Sequence, residues 1–329
     1  MPRHAASLPA GLAGTFRFDQ ARALGVSAGR LRAADLEAPY RGVRVVPAAA
    51  FVPPDVPYPL DETARAAVIE RARALALVLP EHAFFTGHTA LAVHGAALLD
   101  AARVQRADLE VAVFSPHRNL RRPGVDCTQV RPSLAHTTVV DGLRVATPAT
   151  AWVMLARRLS ERDLVKVGDA VVRIPRDERG HRRAEHQLAT PAQLRAAVDA
   201  GARRGAPRLR GALERITPHS MSMLETDWRE NLRGTGLPEP VLDFEVRDSR
   251  GILLGIADGA FPSYRVACEI QGDHHRVARA QWNRDIEKLA AYRAAGWEPV
   301  QVTSTHIRAQ RGRDVALVRA ALARQGWHP

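Results

Sequence analysis

Asp258 and Glu269 are the residues of this chain best placed to do chemistry, because each interrupts an otherwise apolar run. Asp258 closes Ile252-Leu253-Leu254-Gly255-Ile256-Ala257, and Glu269 stands in Tyr264-Arg265-Val266-Ala267-Cys268-Glu269-Ile270. A carboxylate in such a run is costly to bury without a partner. Phe261-Pro262-Ser263 between the runs is a turn, so a hairpin would set the two acids side by side. Glu269 and Gln271 are two apart on the second strand and project from one face. Two carboxylates and a main-chain carbonyl in that arrangement can share a divalent cation, which is equipment for phosphodiester hydrolysis.

The elements that must hold these residues are legible around them. A helix runs from Ser220 through Gly234, Val241 to Arg247 forms a strand, Asp248-Ser249-Arg250-Gly251 turns, and the two acid-bearing strands follow. Ala278 to Ala295 has helical spacing with Gly296 as its stop, and Glu298 to Thr303 makes a last strand before a terminal helix. Because a helix separates the Glu269 strand from that last one, the two are expected to run parallel.

At 329 residues the chain exceeds what one core needs, and two or three domains are expected. Lys and Arg number 47 against 35 Asp and Glu, a formal charge of +12, which favours a polyanionic partner through counterion release. Lysine occurs only at Lys166 and Lys288. The arginine bias, with abundant Ala, suggests GC-rich coding, so much of the charge is compositional. Cys127 and Cys268 are too few for a disulfide framework or a thiolate zinc site and read as reduced, structural thiols. His88, His94, His117 and His136 lack the close pairing of a zinc site. No run approaches the roughly 20 apolar residues of a membrane span, and Met1-Pro2-Arg3-His4 lacks the plan of a secretory signal, so a cytoplasmic location is expected.

Along the chain, Asp19 to Leu24 and Ala28 to Ala34 read as two short helices separated by Gly25-Val26-Ser27, the plan of a helix-turn-helix. Ser27 would cap the second helix, placing Arg30 and Arg32 for a DNA groove or its phosphates, and the strand Arg41 to Val46, with Arg44, would serve as a wing. A plain helical hairpin with exposed arginines is the competing reading. Pro47, Pro53, Pro54, Pro57 and Pro59 mark a linker. Beyond it, Glu62 to Leu79, Gly87 to His94, Pro148 to Arg158 and Glu161 to Arg173 read as helices, with strands at Leu109 to Phe114 and Leu143 to Val145. Between Pro175 and Gln187 the run Arg176-Asp177-Glu178-Arg179-Gly180-His181-Arg182-Arg183 has almost no apolar residues and reads as a mobile loop. Arg203, Arg204, Arg208 and Arg210 follow on a connecting helix that would either meet phosphates or present a solvated face. The expected fold class is multi-domain α/β of the α+β kind, divided as 1–55, 60–175, a charged connector over 176–219, and 220–329.

The series Ser222, Glu225, Arg229, Gly236-Leu237-Pro238-Glu239-Pro240, Asp258, Glu269-Ile270-Gln271-Gly272, His275, Arg284-Asp285, Leu289 and Gly296-Trp297 resembles the small Vsr-like endonuclease-fold domain of the PD-(D/E)xK nuclease superfamily. The likeness covers about a third of the chain, Met221 to Gln325. It implies a restriction-endonuclease-like αβββαβ core. More loosely, Gly25-Val26-Ser27, Arg41-Gly42-Val43, Thr89-Ala90, Leu143-Arg144-Val145-Ala146-Thr147-Pro148 and Gly168-Asp169 are similar to AbiEi-type antitoxin proteins, which implies a winged helix before a mixed α/β domain.

The nuclease resemblance implies that Asp258, Glu269 and the carbonyl of Ile270 or Gln271 hold Mg2+ or Mn2+, an oxygen-only site, while Glu225 adds a carboxylate or orients a water. Gln271 stands where the superfamily most often has lysine, and an amide supplies neither positive charge nor a base near neutral pH. Lys288 on the following helix would replace that cation, or else pair with Asp285 one turn earlier. His275 matches the family position for a phosphate contact or leaving-group acid, beside His274, and both compete with a reading as surface histidines. Arg284 joins Arg30, Arg32, Arg44, Arg208 and Arg210 as a candidate nucleic-acid contact. The leading expectation is a Mg-dependent endonuclease acting on double-stranded DNA, in defence or repair. The alternative is a non-catalytic, antitoxin-like transcriptional regulator with a degenerate nuclease fold and a cognate toxin as partner.

Overall fold

The computed structural model describes residues 6–12, 14–47, 59–272 and 279–328. Most of the proline-rich linker, with His274 and His275, lies outside the described residues. The chain is mixed α/β with three sheets among the described residues and divides into two compact units, Met1–Leu155 with Asp199–Ala202 and Ala156–Val198 with Arg203–Pro329. No described helix is long and apolar enough to cross a membrane.

In the first unit β1 (Thr15–Arg17) pairs antiparallel with β2 (Val43–Val45), and α1 (Phe18–Ala23) follows β1 directly. The helix expected over 28–34 is instead a single 3-10 turn, Arg30–Arg32. The Ser27 hydroxyl accepts the Arg30 amide at 3.1 Å, but the residue at the cap of the turn is Gly29. Within 28–34, however, only Leu31 is buried, and Ala33 is already extended, so one turn exhausts the anchorage. The helix-turn-helix therefore lacks its second helix. Beyond it, α2 (Pro59–Ala76), α3 (Gly87–Val93), α4 (Ala101–Arg106) and α5 (Pro148–Leu155) accompany a five-stranded sheet. Its order is β5 (Val125–Val130), β4 (Leu109–Phe114), β3 (Ala83–Phe85), β7 (Leu143–Ala146), β6 (Thr137–Val140).

The second unit opens with α6 (Glu161–Val172), α7 (Pro191–Asp199) and α8 (Ala206–Leu213), followed by α9 (Met223–Leu232). Asp169 of α6 is fully buried and ties α6 to α9. Its carboxylate accepts from Thr226 Oγ1, Arg229 Nη2 and the Thr217 amide, each at 2.8 Å. Burial nonetheless outweighs these donors and pushes Asp169 up to about 6.

The sheet of this unit is ordered β11 (Glu298–Thr303), β10 (Val266–Gln271), β9 (Leu253–Phe261), β8 (Val241–Arg247). β8, β9 and β10 are antiparallel neighbours and β10–β11 is parallel, as the intervening α10 (Arg279–Ala294) requires. α11 (Ser304–Arg308) and α12 (Arg313–Arg324) close the chain. Alternation along β10 sorts its side chains: Val266, Cys268 and Ile270 join Trp228 of α9 and Val318 and Leu322 of α12, whereas Ala267 joins Tyr292 of α10. Cys268 is buried, Cys127 is half-buried, and neither forms a disulfide.

Two strands turn over at the acids. Leu242 of β8 packs on the Trp228 side, yet Phe244 packs with Tyr292 on the other. On β9, Gly259 lies against Trp228 while Ala257 lies with Tyr292. Residues two apart normally share a face, so the ladder reverses between Leu242↔Gly259 and Phe244↔Ala257. The intervening residues are Asp243, whose φ of 51° is left-handed, and Asp258.

Gly259 is required where the fully buried Trp228 ring crosses it, since a Cβ there would stand 2.5 Å from Cζ3. Gly259→Val should cost about 1–3 kcal/mol through overpacking, read as a lower urea midpoint. An unchanged midpoint would mean that the ring has room to move.

The segment read as a mobile loop is fastened. Arg176 and Arg182 face each other in an isolated bridge, and both reach the buried Asp243, their Nε atoms donating to Oδ1 at 2.7 Å and Oδ2 at 2.9 Å. Low local hydrophobicity pointed to disorder, but two charge-assisted bonds to one desolvated carboxylate supply the order.

Candidate active site

Asp258, Glu269, Glu225 and Lys288 come together in the second unit, each delivered by a different element. The β9–β10 ladder pairs Phe261↔Val266, Ala260↔Ala267 and Gly259↔Cys268 and then stops. The next pair in that register would be Asp258 opposite Glu269. In its place the Asp258 carboxylate turns across and accepts the Ile270 amide at 2.5 Å. The strands thus exchange a main-chain bond for a side-chain one at the position of the two acids.

Glu269 lies on the α10 side. Its Oε2 meets Lys288 Nζ at 2.7 Å, and the same ammonium donates to the Ile256 carbonyl at 2.7 Å. Lys288 is thus directed at Glu269 and the β9 backbone. Gly255 admits it, because a Cβ there would crowd the Tyr292 hydroxyl at 2.8 Å and Lys288 Cε at 3.0 Å. Glu225 arrives from the opposite side at the start of α9. Ser222 caps that helix by accepting the Glu225 amide at 3.2 Å, and Glu225 Oε2 accepts the Met221 amide at 2.8 Å. The Glu225 carboxylate therefore both fastens the chain entering α9 and borders the cluster.

The electrostatics show how tightly the acids are pressed. Burial, then the Asp258 charge, raises Glu225 well above the usual carboxylate range against the pull of the Met221 amide. Burial and Asp258 likewise push Glu269 up to about 7, although Lys288 opposes them. Tyr292 is raised by burial, then by Glu269 and Asp258. Like charges that suppress one another's ionisation are what a divalent cation relieves.

Does this set fit such an ion? Glu269 Oε1 is buried, without a hydrogen bond of good geometry, and the Tyr292 hydroxyl is its polar neighbour. Asp258 and the Ile270 main chain adjoin it, and all the donors are oxygen, the preference of magnesium. Among the described residues no group of three or more His, Cys, Asp or Glu side chains converges as a cage. A partly hydrated ion on two carboxylates and main chain is the arrangement that fits both observations.

Gln271 ends β10, half-buried and opposite Thr303 of β11, on the face of Glu269. His275 lies outside the described residues. The candidate arginines are dispersed. Arg30 is bound to Asp35 at 2.8 Å, and Arg44 donates to the Leu31 and Val43 carbonyls while covering the Phe18 ring, so both brace the first unit. Arg208 donates to the Leu159 carbonyl at 2.6 Å, whereas Arg32, Arg210 and Arg284 are exposed. Sequence reasoning missed Asp243 and His219. His219 is half-buried, and its pKa is lowered by burial and by Arg182. Asp243 left no distinctive signal, because β8 also carries Glu245 and Arg247 in ordinary alternation with apolar residues.

A recess of about 770 Å3 lies elsewhere in this unit, lined by Arg162, Lys166, Asp227, Asn231, Arg308 and Asp314. Arg162, Lys166 and Arg308 already pair there with Asp227 at 3.0–3.4 Å, so internal ion pairs account for it better than a ligand does. Compared with known proteins, the chain matches no family model, no curated protein and no solved structure.

Proposed function

We propose that this protein binds DNA and that its second unit hydrolyses phosphodiester bonds with Mg2+ or Mn2+, in the manner of the PD-(D/E)xK nucleases that its C-terminal motifs resemble. The observation that carries this reading is the meeting of Asp258, Glu269 and Lys288 where the β9–β10 ladder opens. Asp258, Glu269 and the Ile270 main chain would hold the ion, which when bound polarises a phosphodiester and lowers the pKa of a water. Lys288 opposes the rise in the Glu269 pKa and would place a positive charge beside the phosphate. Gln271, on the same face, is positioned to hydrogen-bond a water through its amide. Glu225, whose pKa burial and the Asp258 charge raise, stands on the opposite side of Asp258 as the candidate proton donor.

The test is incubation with supercoiled, linear and single-stranded DNA, with Mg2+, Mn2+ or EDTA. Metal-dependent nicking that disappears in Asp258→Ala and Glu269→Ala is expected. Nicking that survives both substitutions would dismiss the catalytic reading. Metal-independent, sequence-selective binding without nicking would favour the antitoxin-like regulator, a reading for which the single 3-10 turn at Arg30–Arg32 offers no recognition helix.

A further inference from the structure

The segment 176–183 is a basic strap fixed beside the acid cluster. It carries Arg176, Arg179, Arg182 and Arg183 against Asp177 and Glu178. Its bend is set by Asp177, whose Oδ1 accepts the Arg179 and His181 amides at 2.9 Å each. Gly180 at the tip packs so closely on β9 that a Cβ there would stand 3.1 Å from Ile256 Cδ1. Ile256 is the residue whose carbonyl holds Lys288, two positions before Asp258.

The strap's other anchor is Asp243, 3 % exposed, which stands across from Asp258 where both strands turn over. Arg176 reaches Asp243 and Glu245 and is nearly buried, so its role is internal. Arg182 differs: Nε and Nη2 engage Asp243, while its side chain is 44 % exposed. Arg179, His181 and Arg183 are exposed as well, Arg183 meeting Glu185 at 2.6 Å and Asp177 at 3.6 Å in pairs that remain open to solvent. Carrying three exposed guanidinium groups on a strap fastened beside a site already crowded with acids serves a polyanion, whose phosphates would occupy that rim.

We infer that the strap is a phosphate clamp: Arg179, Arg182 and Arg183 grip phosphodiester groups of duplex DNA next to the acid cluster, and Asp243 is the positioning residue that holds the strap in place. The inference rests on the proposed action on DNA but not on cleavage. Rigid placement matters because a planar guanidinium fork held by a carboxylate loses little freedom when it meets a phosphate.

The experiment is duplex binding by full-length Asp258→Asn, which keeps DNA intact, followed by fluorescence anisotropy over a range of salt concentrations. Adding Arg179→Gln and Arg183→Gln should weaken binding at least about tenfold and reduce the salt slope by about two, near 0.9 for each lost phosphate contact. Arg319→Gln, an exposed arginine of α12 off the strap, should change it much less. Asp243→Asn is the sharper probe. It makes the protein more positive, so simple attraction predicts tighter binding, whereas a released clamp predicts weaker binding. An unchanged slope in the Arg179/Arg183 variant, or an equal loss from Arg319→Gln, would overturn the clamp while leaving the nuclease reading standing. If Asp258→Asn binds no duplex at all, the clamp and the DNA reading fall together.

Discussion

Asp258→Asn should remove phosphodiester cleavage, by on the order of 10^4-fold as when one member of a cooperating catalytic set is lost, and should at the same time make the ion-free protein more stable. The two effects have one origin. Asp258 raises both Glu225 and Glu269, so its charge is a strain on the folded state. Asn retains an oxygen to accept the Ile270 amide and removes the charge. A gain of about 1 kcal/mol, roughly 2–4 °C for a unit of this size, is expected without metal. Magnesium should then raise the melting temperature of the wild type and leave Asp258→Asn unmoved.

The pH dependence carries the same sign. Glu269 has a raised folded-state pKa, so its linked stability is complete below its ordinary pKa and drains away as pH rises through about 7. Melting temperatures measured without metal should fall across that window, and Asp258→Asn should flatten the fall. A lower melting temperature for Asp258→Asn at every pH would instead identify the acid as a structural cap for the Ile270 amide.

Much of the second unit was legible because its signals are local. Apolar runs, the Pro262 turn and the Gly296 stop fix the strands and α10, and the parallel β10–β11 pair follows from the helix between them. Asp258 and Glu269 stood out because each broke an apolar run. What was illegible depends on partners distant in sequence. Nothing in the polar stretch from Arg176 to Arg183 points to Asp243, some 60 residues on, as the buried charge that orders it. The left-handed Asp243 inside β8 is equally silent, since a strand pattern does not show where two strands reverse face together. In the first unit, β3 has only three residues, and β6 is largely exposed with Thr137 and Thr138, so neither has a clear period. At Arg30–Arg32 the opposite failure occurred: helix-compatible residues with too little apolar anchorage stop at one turn.

Lys288→Met should lower cleavage about 10^2- to 10^3-fold, the scale of removing one electrostatic stabiliser of a developing charge, while duplex affinity changes little. The ammonium is shared between Glu269 and the Ile256 carbonyl, so its loss leaves Glu269 facing Asp258 without a counter-charge. Breaking a fully buried pair costs roughly 3–5 kcal/mol. Lys288 is a quarter exposed, and water entering beside Glu269 should reduce that to about 1–2 kcal/mol. Stability therefore has to be measured beside activity. The decisive variant is Lys288→Met combined with Gln271→Lys, which moves the cation from α10 to the end of β10 on the face of Glu269. If the chemistry needs a positive charge at that point in space and is indifferent to the element that delivers it, the double variant should recover at least about tenfold over Lys288→Met, a return of roughly 1.4 kcal/mol in the barrier. Recovery of melting temperature without recovery of cleavage would make Lys288 a counter-ion for Glu269 alone. Wild-type cleavage by Lys288→Met itself would remove the lysine from the reaction and leave the acids and their ion to account for it.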